Sequence, residues 1–159
     1  MEFETIVRQY QTRLFVIAFH YLQNRQDAED AVQEVFVRLY TLGKQFESEE
    51  YLKSWLIRVT VNRCKSMLRS PWRHRTVPLD TVGELADDPD EQARELREAV
   101  MNLPQRYREV VILYYYADYS CAEIGELLRR RTTTVQTQLQ RARALLREKL
   151  KEAWEDEPT

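Results

Sequence analysis

The sequence predicts an all-α protein built from two small helical domains joined by an acidic linker. Three observations carry that prediction. Apolar residues recur at three- and four-residue steps through most of the chain, no segment shows a convincing strand alternation, and charge is sorted by segment. With 159 residues, 43% of them apolar and only 3 Gly and 5 Pro, there is material for packed cores. The length itself fits one ordinary domain or two very small ones.

The first element places Phe3, Ile6, Val7, Tyr10, Leu14, Ile17, Ala18 and Tyr21 along one side of an amphipathic helix running from about Phe3 to Leu22. Asn24, with Asp27 three residues on, supplies a cap for a second helix with Ala28, Ala31, Val32, Val35, Phe36, Leu39 and Tyr40 facing inward. The Gly43 region ends it. After Ser48 a third pattern uses Leu52, Trp55, Leu56, Val59 and Met67, and it stops at Ser70-Pro71, where proline disfavours helix in the residue before it. These three helices make a first domain, residues 1–75.

Residues 76–88 have little periodicity and many acids, and they are read as a linker. The second domain, 89–155, opens at Asp88-Pro89-Asp90-Glu91, read as a capped start with proline in the first turn, and continues through Ala93, Leu96, Val100 and Leu103. Leu103-Pro104 breaks that helix and starts another with Tyr107, Val110, Val111 and Tyr114 inward. Ser120-Cys121-Ala122-Glu123 has the form of a capping box before a short helix containing Ile124, Leu127 and Leu128. Thr132, Thr133 and Thr134 then offer caps for a last helix, with Val135, Leu139, Ala142, Leu146 and Leu150 inward and Gln136, Gln138, Arg141, Arg143 and Arg147 largely outward. A short helix, a tight turn and a longer polar helix compose a helix-turn-helix.

The net charge of −2 conceals a segregation. Lys53 to Arg75 holds seven basic residues and no acid, Arg129 to Lys151 holds eight basic residues against Glu148 alone, and Asp80 to Glu98 between them holds eight acids against Arg94 and Arg97. A merely solvated face would mix its signs, so the two basic blocks point to nucleic acid. Cys64 and Cys121 match neither a zinc spacing nor a secreted disulfide framework, and His20 and His74 are isolated. No convergent acid, base, nucleophile or phosphate loop is visible, so neither enzymatic chemistry nor a cofactor or metal is expected. No apolar run approaches a membrane span and no signal-peptide pattern opens the chain, which predicts a cytoplasmic protein without membrane insertion.

In a helix-turn-helix the second helix enters the major groove and its exposed amino-terminal residues meet base edges. Arg131, Thr133, Thr134, Gln136, Thr137, Gln138 and Arg141 are the candidates here, since Gln pairs with adenine and Arg with guanine in two-point contacts. A helical hairpin that packs on another protein is the alternative from spacing alone. The basic block in the third helix is different, having aromatic neighbours Tyr51, Trp55 and Trp72, and suits a partly opened strand. Trp55 falls on the apolar stripe and is assigned to the core; Trp72 stays open between the two roles.

The run Asp27-Ala28-Glu29-Asp30-Ala31-Val32-Gln33-Glu34-Val35-Phe36-Val37-Arg38-Leu39 resembles region 2 of extracytoplasmic-function sigma factors. Phe46 and Lys53-Ser54-Trp55-Leu56-Ile57-Arg58-Val59-Thr60-Val61-Asn62-Arg63 are similar to the adjoining segment that melts and reads the minus-ten promoter element. Leu103-Pro104, Tyr119-Ser120 with Glu123-Ile124, and Gln140-Arg141-Ala142-Arg143 resemble the region 4 domain that reads the minus-thirty-five element. The resemblance implies that Asp30, Gln33 and Glu34 face core RNA polymerase, that Asn62 sits near a flipped minus-ten base, and that Lys53, Arg58, Arg63, Lys65 and Arg69 serve the same DNA. It also implies an anti-sigma partner, and an acidic linker threading toward the RNA exit path.

The chain departs from that pattern where the family has a glycine and an apolar residue in the recognition turn: here stands Arg129-Arg130-Arg131. A non-glycine residue in the left-handed conformation costs about 1 kcal/mol, which three arginines gripping phosphate would offset. The linker is also short for the family. A free-standing helix-turn-helix regulator is the competing reading, and it has no use for the Asp30, Gln33, Glu34 edge. A helical adaptor without nucleic acid would leave both basic blocks unexplained.

Overall fold

The computed structural model describes residues 2–43, 45–70 and 90–155, the last four without their side chains. The linker at 76–88, together with Trp72, Arg73, His74 and Arg75, lies outside the described residues. The chain divides into two compact units, Met1–Val82 and Gly83–Thr159. Among the described residues there are seven helices and no strand: α1 Phe3–Leu22, α2 Arg25–Leu42, α3 Glu49–Arg69, α4 Glu91–Met101, α5 Gln105–Tyr115, α6 Cys121–Leu128 and α7 Thr132–Glu155.

In the first unit α1 packs on both α2 and α3. Local chemistry sets the joints. Gln23 turns left-handed after α1 and donates its N–H to the Phe19 carbonyl at 2.7 Å. Asn24 then caps α2 by accepting the Asp27 N–H at 2.9 Å, as its sequence spacing predicts. Gly43, at φ +56°, closes α2 in a conformation glycine adopts without a Cβ penalty. Ser48 caps α3 by accepting from the Tyr51 N–H. Leu14, Ile17 and Phe19 of α1, Val35 of α2, and Leu56, Ile57 and Val61 of α3 are fully buried, each contributing roughly 2 kcal/mol of transfer free energy.

The inward face of α3 is rotated from the one the sequence suggests. Leu52, Leu56, Ile57, Thr60, Val61 and Cys64 are buried, whereas Trp55, Val59 and Met67 are half-buried. Thr60 is tolerated inside because its hydroxyl donates to the Leu56 carbonyl at 2.7 Å, satisfying itself within the helix. Trp55 is held at the edge instead, its ring 5.7 Å from that of Phe46 in the loop before α3.

In the second unit α5 is the central element: Tyr107 to Leu113 are buried without interruption. The α4 N-cap is Asp90, which accepts from the Gln92 and Ala93 N–H groups, so the helix starts two residues later than the proline-in-first-turn reading allows. At its other end the buried Arg108 donates to the Met101 and Leu103 carbonyls at 3.0 and 3.3 Å, satisfying groups that a helix terminus otherwise leaves open. The Ser120–Glu123 capping box is present in both directions. The threonines do not cap α7: Thr132 is already helical, and the Arg131 carbonyl accepts the Val135 N–H. Val135, Leu139 and Ala142 are buried as expected, while Leu146 and Leu150 are only half-buried.

Arg129 ends α6 at φ 59°, ψ 51°, the left-handed conformation that glycine adopts without a Cβ penalty. Replacing Arg129 by glycine is therefore expected to raise the unit's stability by about 0.5–1 kcal/mol, read as a higher thermal midpoint. An unchanged or lower midpoint would mean the arginine side chain itself compensates for its backbone.

Candidate nucleic-acid and partner interfaces

Asp30, Gln33 and Glu34 are brought together on the outer face of α2. They line one shallow groove with Val37, Arg38, Thr41 and Leu42. Gln33 and Glu34 are exposed, and Asp30 accepts a hydrogen bond from the Gln26 amide at 2.9 Å. The apolar neighbours matter as much as the acceptors. Val37 and Leu42 are 64% and 52% exposed, so the face presents hydrophobic surface beside two carboxylates, the mixture expected of a docking site.

The candidates on α3 separate. At 100° per residue, Arg58, Asn62, Lys65 and Arg69 fall on one stripe, together with the exposed Tyr51. Arg58, Asn62 and Arg69 are exposed and Lys65 is half-buried. Lys53 stands off that stripe near the helix start. Arg63 stands off it too, turned toward α2, where its Nη2 donates to Glu34 Oε1 at 3.2 Å and its Nε forms an ion pair with Glu34 Oε2. One candidate of the DNA set thus touches one candidate of the docking set.

On the second unit, Thr133, Thr134, Thr137, Gln138 and Arg141 line a single concavity, and Arg106 and Tyr107 complete it from α5. Arg106 and Tyr107 were not legible as site residues. Arg106 lies 4.6 Å over the Tyr107 ring, and its hydrogen bond, with a second from Arg141, holds the Tyr107 phenol below its ordinary value of 10.0. Nothing local marks Arg106, because only the packing of α5 against α7 carries it to the start of α7. Gln136 is exposed, but 100° round from Thr137 and outside the concavity. Arg131 is exposed beside the start of α7.

The turn arginines do not act as a trio. Arg130 forms an ion pair with the buried Glu109, and it donates to the Arg106 carbonyl at 3.3 Å and to Gln138 Oε1 at 3.1 Å. Arg130 is thus engaged within the fold, whereas Arg129 and Arg131 are exposed. Gln138 arrives at the interface with its amide oxygen engaged. Arg143 is likewise committed, donating to the Tyr115 hydroxyl at 2.8 Å and lying over the Tyr114 and Tyr115 rings, an arrangement that raises its pKa above the ordinary arginine value.

The comparisons with known proteins fall on these same two units. Residues 6–74 match the profile described as Sigma-70 region 2, and residues 93–146 match that described as Sigma-70, region 4. The chain is 30% identical over 145 residues to RNA polymerase sigma factor SigV of Bacillus subtilis, covering 90% of this chain and 87% of that protein. It is 31% identical over 146 residues to ECF RNA polymerase sigma factor SigM of Mycobacterium tuberculosis, covering 91% and 74%. Among solved structures it is similar to the sigma factor RpoE of Bartonella quintana, crystallised with the anti-sigma factor NepR, with a TM-score of 0.72, 22% identity and coverage of 94% and 96%. It is also similar to CnrH in complex with the cytosolic domain of CnrY, with a TM-score of 0.64 and 23% identity over 94% and 88%.

Proposed function

Because the chain belongs to the extracytoplasmic-function group of the sigma-70 family, we propose that its α2 face docks core RNA polymerase while α3 and α7 carry the promoter contacts. The activity follows from membership: the protein is an RNA polymerase sigma factor that directs promoter-specific transcription initiation. A free-standing operator-binding regulator is disfavoured, since such a protein has no need of the region 2 match across the first unit.

Asp30, Gln33 and Glu34 are assigned to polymerase docking, acceptors meeting basic partners beside the Val37 and Leu42 hydrophobes. Arg58, Asn62, Lys65 and Arg69 are assigned to the minus-ten strand. There the cations follow phosphate, Asn62 meets an unstacked base, and Tyr51 offers a ring for stacking. Thr133, Thr134, Thr137, Gln138 and Arg141 are assigned to minus-thirty-five base edges and phosphates, with Arg106 and Arg131 as flanking phosphate contacts. The observation that carries the reading is the convergence of the three α2 residues on one groove with exposed apolar surface.

The domain roles follow: residues 1–75 for polymerase and minus-ten binding, 89–155 for minus-thirty-five binding, with 76–88 as tether. No helix of the described residues is long and apolar enough to cross a membrane, and the work is assigned to the cytoplasm, without catalysis by this chain. An anti-sigma protein is proposed as a further partner, since the similar sigma factor RpoE was crystallised with the anti-sigma factor NepR.

A run-off assay with core polymerase and a genomic fragment library tests the reading. Discrete starts preceded by two spaced elements are expected. Changing Asp30, Gln33 and Glu34 together to alanine should reduce them at least tenfold, equivalent to about 1.4 kcal/mol of docking free energy. Undiminished starts from the triple variant would remove the docking role from α2.

A further inference from the structure

We propose that Arg63 is a positioning residue for polymerase docking, orienting the Glu34 carboxylate, and is not a promoter contact. The proposal rests on the assignment of Glu34 to the polymerase face. Three observations carry it. Arg63 stands 100° round α3 from Asn62 and further still from Arg58 and Arg69, so it does not share their stripe. Its guanidinium reaches across to α2 in a two-point contact, Nη2 to Oε1 as a hydrogen bond and Nε to Oε2 as an ion pair. Both side chains remain about half exposed, at 40% and 52%, so the pair contributes little to folding and leaves Glu34 accessible to a partner.

A carboxylate has about four lone-pair positions, and the two-point contact leaves others directed at solvent. What Arg63 supplies is order. A glutamate has several rotatable bonds, and fixing such a side chain before a partner arrives removes a cost otherwise met on binding. α3 thereby acts as a splint for a residue on α2, which links the element that meets polymerase to the element that meets DNA.

Pure charge predicts the opposite sign. Arg63 is a cation beside an acceptor meant for a basic partner, so on Coulombic grounds removing it would tighten docking. Positioning predicts that removing it loosens docking. The Arg63→Lys variant separates the two further, since lysine keeps the charge but is a point donor without the planar fork.

The test measures the affinity of the full-length chain for core polymerase, and the salt dependence of promoter binding by the holoenzyme, for Arg63→Gln, Arg63→Lys, Glu34→Gln and the Glu34→Gln/Arg63→Gln pair. Each Arg63 variant is expected to bind polymerase about fivefold more weakly. The pair should be no weaker than Glu34→Gln alone, and the thermal midpoint and the salt slope of promoter binding should be unchanged. Unchanged or tighter polymerase binding by Arg63→Gln overturns the proposal. So does a salt slope reduced by about 0.7–0.9, the signature of one lost phosphate contact. Should Glu34→Gln itself leave polymerase affinity intact, the docking assignment of Glu34 fails first, and the positioning role with it.

Discussion

Alanine at position 130 is expected to cost the second unit about 3 kcal/mol of stability and to lower its thermal midpoint by roughly 10 °C or more. The Glu109 side chain is only 4% exposed and the Arg130 side chain 22%, so this ion pair is shielded from solvent in a way that the Glu34–Arg63 pair is not. Removing the cation of the pair weakens what compensates for burying this carboxylate. Arg130 also ties the turn to the Arg106 carbonyl on α5 and to Gln138 on α7, so its removal loosens three elements at once. The matched control replaces both partners by apolar residues, Glu109→Leu with Arg130→Met, and should recover most of the loss. Thermal unfolding of the single and double variants decides it. A single variant as stable as the parent would show that the pair contributes nothing, and would return Arg130 to the pool of phosphate contacts.

The boundaries of α2 and the starts of α3 and α6 were legible because they are set locally: Asn24, Ser48 and the Ser120–Glu123 box each satisfy backbone groups within three residues, and Gly43 ends α2 through its own φ, whereas the starts of α4 and α7 were misplaced. A left-handed residue in the turn at Arg129-Arg130-Arg131 was anticipated from the resemblance, but which of the three adopts it was not. The inward face of α3 was not, because Thr60 hides its polarity in an intrahelical hydrogen bond and Trp55 finds a partner in Phe46 outside the helix. Arginines were the least legible of all. Counted as a basic block, Arg129, Arg130 and Arg131 look equivalent, yet only the middle one finds a buried carboxylate, and that carboxylate lies 21 residues away on α5. Arg63 was likewise read as one of a row, and it is drawn away by an acid 29 residues distant. Arg108, taken up by two carbonyls at the end of α4, belongs to the same class. A cation's role is fixed by which acceptor the fold delivers to it.

Gly125→Ala is expected to disable the recognition turn. A Cβ built on Gly125 would stand 2.6 Å from the Arg130 carbonyl oxygen and 3.5 Å from the Thr132 nitrogen. Both are backbone atoms, so no rotamer change relieves the contact, and the first turn of α7 must move. The Gly125 carbonyl also accepts the Arg130 N–H at 2.8 Å, so the displacement strains the hydrogen bond that folds the chain back. Overpacking of this kind costs typically 1–3 kcal/mol, and here the atoms displaced are those that aim Thr133, Thr134 and Thr137. The variant should therefore show a lowered thermal midpoint in the second unit, and transcription from promoters that depend on the minus-thirty-five element should fall by tenfold or more. Affinity for core polymerase through the first unit should fall far less, which distinguishes a misdirected recognition helix from a chain that fails to assemble. An alanine variant with parental stability and parental promoter use would mean that the 2.6 Å approach relaxes at negligible cost, and that the turn does not need glycine at this position.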